Sequence, residues 1–67
     1  MNWDQISHNW NAVSRTIMLT WGKLSEADLA AISGQREALV SAVQQRYALS
    51  LSVAETRVDD FARTLKS

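Results

Sequence analysis

One apolar stripe constrains the fold of this chain more than any other feature. Its six large apolar residues recur at alternating spacings of three and four, and they are Trp3, Ile6, Trp10, Val13, Ile17 and Trp21. At about 100° per residue on an α-helix, these side chains fall within an arc of roughly 80°. The spacing predicts a long first helix that begins after Asn2, a suitable N-cap, and ends near Gly22.

A short second helix is predicted between Ser25 and Gly34. Ser25 and Asp28 have capping-box spacing, and Leu24 can pack onto Leu29 across the turn. Gly34 can adopt the left-handed conformation that ends a helix. The first and second helices are therefore joined by a tight connection.

Two further helices of moderate length are predicted downstream. Between residues 35 and 48 the apolar side chains Leu39, Val40, Val43 and Tyr47 share one face. Ser52 and Glu55 form a second capping-box pattern, which predicts the start of a fourth helix with the stripe Ala54, Val58, Phe61 and Leu65. The expected fold is all-α, a small four-helix bundle with a long first helix and a short second one.

The composition indicates one small domain over residues 1–67. The chain has no Cys, so packing of apolar side chains has to stabilise it without disulfides. The predicted core contains Trp3, Ile6, Trp10, Val13, Ile17, Trp21, Leu29, Ile32, Leu39, Val43, Tyr47, Val58, Phe61 and Leu65. The N-terminus has no signal-peptide pattern, and no apolar run approaches the ~20 residues of a membrane span, so a cytoplasmic location is expected.

No group of residues has the spacing of a catalytic or metal site. Asp4 and His8 lie one helical turn apart, but two ligands do not make a metal site and the chain has no other His and no Cys. Asp59 and Asp60 are neighbours, and side chains of neighbours on a helix point about 100° apart. We therefore expect no catalytic residues, no cofactor and no metal, and we interpret the protein as a non-enzyme.

Two apolar residues of the first helix lie off its stripe. Met18 and Leu19 point about 100° and 160° away from the centre of the stripe, so one buried seam cannot cover both. They either pack under another helix or lie exposed for a partner. Together with the neighbouring Arg15, they form the candidate partner surface.

The second and third predicted helices superficially resemble a helix-turn-helix. Arg36 and Arg46 are the candidate nucleic-acid contacts in this alternative. A formal net charge of +0 opposes it, because binding to phosphates depends on positive charge. Arg36 also lies on the apolar side of its helix, where a structural ion pair with a carboxylate is the expected role.

Short strings spread over nearly the whole chain carry a family resemblance. They are Asn9-Trp10, Trp21-Gly22-Lys23-Leu24, Asp28, Gly34 with Arg36, Leu39-Val40, Gln45-Arg46-Tyr47, Ala54-Glu55 and Val58. In their order and separation they resemble the CsbD-like family of small bacterial general stress proteins. The resemblance implies a compact four-helix protein that is abundant under stress or in stationary phase, is not known as an enzyme and has no assigned molecular activity.

One segment departs from the family pattern. Family members commonly carry many Lys and Glu residues in the first helix, whereas residues 9–21 contain only Arg15 as a charged residue. Fewer charges favour a distinct partner or self-association. The sequence therefore predicts a non-catalytic stress-response protein that acts through contacts with another protein or with itself; the alternative is weak nucleic-acid binding by the second and third helices.

Overall fold

The computed structural model describes residues 2–65, and every regular element among them is an α-helix. The helices are α1 (Trp3–His8), α2 (Trp10–Thr20), α3 (Glu26–Ile32), α4 (Arg36–Tyr47) and α5 (Leu51–Thr64). The all-α class predicted from the sequence is confirmed for these residues. The number of helices among them is five instead of the predicted four.

The extra helix arises because the predicted first helix is interrupted at Asn9. This residue has φ −110° and ψ 29°, outside the helical range. Its backbone N–H donates to the Gln5 carbonyl at 3.1 Å, and its side-chain Nδ2 donates to the same oxygen at 2.9 Å. The side chain thus adds a local bond to the backbone beside the helical one, as Asn does where a regular helix ends. The apolar spacing does not reveal the break, because Ile6 and Val13 remain buried on either side of it.

Side-chain caps determine where three of the helices begin. Asn2 and Gln5 form a capping box at α1, and Ser25 and Asp28 form the predicted one at α3. The predicted start of the last helix at Ser52 was wrong. Ser50 is the N-cap, with Oγ accepting the Val53 N–H at 3.3 Å, because its extended backbone (φ −67°, ψ 159°) places the hydroxyl at the free amides of the first turn.

The turn between α3 and α4 lies against the backbone of α1. Ser33 and Gly34 both have positive φ, 49° and 81°, and they reverse the chain after Ile32. A Cβ atom on Gly34 would lie 2.8 Å from Ser7 Oγ and 2.9 Å from Ser7 Cα. Glycine is therefore required at this position both by its backbone conformation and by the close approach of α1.

Among residues 2–65, the core is continuous and contains fourteen buried apolar residues. They are Ile6, Val13, Ile17, Trp21, Leu24, Leu29, Ile32, Leu39, Val40, Val43, Ala54, Val58, Phe61 and Ala62. Four predicted core residues are only half-buried and pack at its edge, namely Trp3, Trp10, Tyr47 and Leu65. The first two lie on short α1 and at the start of α2, where the break at Asn9 limits what can cover them.

Helix α4 occupies the centre of the arrangement. It packs against both α3 and α5, and α1 packs against α2. The radius of gyration is 10.7 Å, close to the ~11 Å expected for a compact chain of this length. No helix within residues 2–65 has the length and apolar character needed to cross a membrane.

The Gly34 turn generates a prediction about stability. Gly34→Ala should lower the free energy of unfolding by about 2 kcal/mol or more, because a left-handed alanine is strained and its Cβ would clash with the Ser7 backbone. Urea denaturation followed by circular dichroism measures the change. Gly22→Ala is the matched control, since a Cβ there meets no atom within 4 Å. Equal stability of the two variants would contradict the role given to the turn.

Candidate functional site

An arginine at the start of α4 joins this helix to α5. Arg36 Nε lies 2.9 Å from Asp59 Oδ1, and Arg36 Nη2 lies 3.1 Å from Asp59 Oδ2, so the pair is bidentate. Glu55 and Glu37 lie 3.7 Å and 3.4 Å from the same guanidinium. The Arg36 side chain is 26% exposed. The structural ion pair predicted for this residue is therefore confirmed.

A second bidentate pair joins the other end of α4 to α3. Arg46 Nε and Nη2 lie 3.1 Å and 3.0 Å from the two carboxylate oxygens of Asp28. The same carboxylate accepts the Ser25 N–H at 3.0 Å as part of the capping box. Asp28 thus caps α3 and holds α4 against it.

These contacts shift the pKa values of the acidic partners. Hydrogen bonds from Arg46 and from the Ser25 backbone lower the pKa of Asp28 from its ordinary value of 3.8 to about 2. The hydrogen bonds from Arg36 lower the pKa of Asp59. The pKa values of Arg36 and Arg46 rise because of the same hydrogen bonds. Both carboxylates are consequently held in the charged form well into the acidic range.

The candidate partner surface lies on the outer face of α2. Leu19 is 87% exposed and Met18 is 36% exposed, and Arg15 is exposed beside them. No other helix within residues 2–65 covers the Leu19 or Met18 side chain completely. Arg15 and Met18 also line a shallow groove of about 380 Å³ between α2 and α3. The three residues of the candidate surface are therefore brought together on one side of the molecule.

A larger groove lies where α2, α4 and α5 meet. Its volume is about 660 Å³, and its apolar lining includes Trp21, Tyr47 and Phe61. Polar side chains surround these rings, and they are Thr16, Thr20, Arg57, Asp60 and Thr64. No pattern in the sequence indicated this groove, because it depends on how the ends of three helices meet. The only local signal is that Thr16 and Thr20, and also Arg57 and Phe61, are one helical turn apart.

The residues considered for a metal site remain separate surface groups. Asp4 and His8 are both exposed on α1. Within residues 2–65, no three His, Cys, Asp or Glu side chains are grouped closely enough to hold a metal ion. Asp59 faces Arg36 and Asp60 pairs with Arg63, so the two neighbouring carboxylates have different partners.

Several curated bacterial proteins are similar to this chain over most of its length. A UPF0337 protein of Pectobacterium atrosepticum is 41% identical over 87% of this chain and 84% of its own length. Protein YjbJ of Escherichia coli, also named UPF0337, is 36% identical over 91% of this chain and 88% of its own length. The chain belongs to the UPF0337 (CsbD-like) family.

The family relationship adds no assigned activity. A UPF0337 protein of Nitrosomonas europaea is 34% identical over 92% of this chain, which spans 66% of that relative. The names of these relatives state no reaction, ligand or partner. No family model matches the chain, and no solved structure matches it significantly. The resemblance found in the sequence is thus confirmed at the level of the family.

The ion pair at Asp28 generates a prediction about acid stability. A lowered pKa in the folded state means that, between about pH 4 and pH 2, the unfolded chain binds more protons at this residue than the folded chain does. Acidification through this range should therefore lower the free energy of unfolding. Asp28→Asn should make that decrease shallower, as measured by urea denaturation at a series of pH values.

Arg46→Gln provides the matched test of the cause. It removes the hydrogen bonds that contribute most to the lowered pKa of Asp28 and should also flatten the decrease. Combining both substitutions should flatten it little more than Asp28→Asn alone, because the proton-binding group is already absent. A wild-type slope in both single variants would contradict the assignment.

Proposed function

We propose that this protein is a non-catalytic component of the bacterial stress response that acts in the cytoplasm through protein–protein contacts, with another protein or with a second copy of itself. The observation that carries the proposal is the 87% exposure of Leu19 on the outer face of α2. Membership of the CsbD-like family supports the stress role, since that is the setting the resemblance implies.

The outer face of α2 offers a favourable contact. Removing a leucine side chain from water contributes roughly 1.5–3 kcal/mol, and Met18 beside Leu19 enlarges the apolar area. Arg15 adds a positive charge at the edge of the same face, where a carboxylate of the partner would complement it. A central apolar residue with a polar rim is the usual arrangement of a small protein interface.

The non-catalytic part of the proposal rests on the sequence. The chain has one histidine, His8, which is on α1. A catalytic nucleophile needs a neighbouring base and a group that orients the base, and no serine or threonine stands in a sequence motif that supplies both. Contacts that need only an exposed apolar face require none of these groups. Protein binding is therefore the function class that these residues support best.

Nucleic-acid binding by α3 and α4 is the weaker alternative. Arg36 and Arg46 would have to supply its phosphate contacts, but both guanidinium groups already form bidentate pairs with Asp59 and Asp28. A phosphate would have to compete with a carboxylate in each case. The two arginines are better suited to holding helices together.

Self-association can be tested with one pair of variants. Leu19→Glu should abolish concentration-dependent association in sedimentation velocity, because a buried carboxylate without a partner is costly. Leu51→Glu is the matched control, because Leu51 is also exposed, at 56%, but lies on α5. Thermal unfolding of both variants should resemble that of the wild type. Association that survives in Leu19→Glu would exclude this face as the contact between copies.

A different protein as partner can be tested in cells. Crosslinking under osmotic and stationary-phase stress should recover a specific protein with the wild type and with Leu51→Glu, and lose it with Leu19→Glu. Equal recovery with all three chains would place the contact elsewhere. Recovery of no specific protein, together with a monomeric wild type in solution, would contradict the proposal.

The alternative has its own test, based on salt. We expect no binding of duplex DNA in fluorescence anisotropy even at low salt, because the chain has a net charge of +0 and its two candidate arginines are paired. Arg36→Gln and Arg46→Gln serve as comparison variants. Binding that weakens steeply with salt and is lost in these variants would favour nucleic-acid binding instead.

A further inference from the structure

The larger groove has a preformed aromatic wall. Trp21 and Phe61 are 7% and 8% exposed, and their ring centroids are 5.0 Å apart at an interplanar angle of 54°. Because most of each ring is packed in the core, the parts that line the groove are held in place. Tyr47 at the end of α4 adds a third ring, and its hydroxyl accepts the Lys23 N–H at 3.2 Å. A volume of about 660 Å³ falls within the usual range of small-molecule sites.

The charged groups around this wall favour an anion. Arg57 lines the groove and is exposed, and it forms none of the ion pairs within residues 2–65. Asp60, the acidic residue of the lining, is paired with Arg63. Lys23 Nζ lies 5.0 Å from the centre of the Tyr47 ring and adds positive charge nearby. The net charge beside the rings is therefore positive.

Two of the threonine hydroxyls of the lining contribute little to binding an anion. Thr20 Oγ1 donates to the Thr16 carbonyl at 3.0 Å, and Thr64 Oγ1 donates to the Phe61 carbonyl at 2.7 Å. Both hydroxyl hydrogens are therefore directed to the backbone and not into the groove. Arg57 is the cationic donor of the lining, and its planar guanidinium suits a carboxylate.

We propose that this groove binds small aromatic carboxylates, with the ring against Trp21 and Phe61 and the carboxylate paired with Arg57. The exposed edges of the aromatic wall supply apolar and edge-on ring contacts, and the arginine selects for the negative charge. This site is separate from the candidate partner surface and does not depend on self-association. Arg57, which the sequence analysis did not select, is its specificity-determining residue.

The test is an NMR titration of the full chain with 2-naphthoate and with its neutral counterpart, 2-naphthamide. Naphthoate should shift the indole N–H resonance of Trp21 in a saturable manner, with Trp3 and Trp10 as internal references. Naphthamide should bind about tenfold more weakly, which corresponds to ~1.4 kcal/mol. Arg57→Gln should reduce the affinity for naphthoate by a similar factor and leave the affinity for naphthamide unchanged.

Arg15→Gln is the matched control, because Arg15 is an exposed arginine of α2 that does not line this groove. It should leave both affinities unchanged. Equal affinity for the two compounds, an unaltered affinity in Arg57→Gln, or no shift at Trp21 would each overturn the proposal.

Discussion

Helix α4 buries Leu39 and Val43 completely, and the helices on both sides of it pack against the same core. Full burial of a Leu or Val side chain contributes roughly 1.5–3 kcal/mol, whereas an exposed ion pair contributes about 0–1 kcal/mol. In a chain of 67 residues without a disulfide, the apolar contacts of this one helix therefore govern whether the remaining helices can be held together. The larger groove depends on this packing, because α4 and α5 both contribute to its lining.

The bidentate pairs at the two ends of α4 fix the relative orientation of the helices more than they contribute to the free energy of folding. Arg36 aligns α4 with α5 through Asp59, and Arg46 aligns it with α3 through Asp28. A planar guanidinium accepts few orientations of a carboxylate, so each pair restricts how the helices can slide or rotate. Because these two arginines hold helices together and Arg63 pairs with Asp60, Arg15 and Arg57 are the arginines within residues 2–65 that form none of the ion pairs.

The periodicity of apolar residues was sufficient to predict the helical class and most of the core, because burial of one face decides where a helix lies. The family was predicted separately, from the resemblance of short strings of residues. The break at Asn9 was not predictable in this way, since a side-chain hydrogen bond to the backbone leaves the apolar spacing unchanged. Ser50 and Ser52 are both suitable caps by residue type, and only the path of the preceding chain selects the first. The exposure of Leu19 and the groove beside Phe61 both depend on which helices meet. Local spacing therefore could not decide whether Leu19 is exposed, and it gave no indication of the groove.

Helix α2 is the element that connects the two proposed surfaces. Its outer face carries Leu19, and the adjoining Thr16 and Thr20 line the larger groove. Residues three or four apart on a helix are neighbours, so a protein docked over Leu19 would lie close to the rim at Thr16. If such contact changes the affinity of the groove for a carboxylate, the ligand must change the affinity for the protein by the same factor. Substitutions at Thr16 or Thr20 can therefore alter both surfaces together, whereas substitutions at the buried positions of α4 act on both through the fold itself.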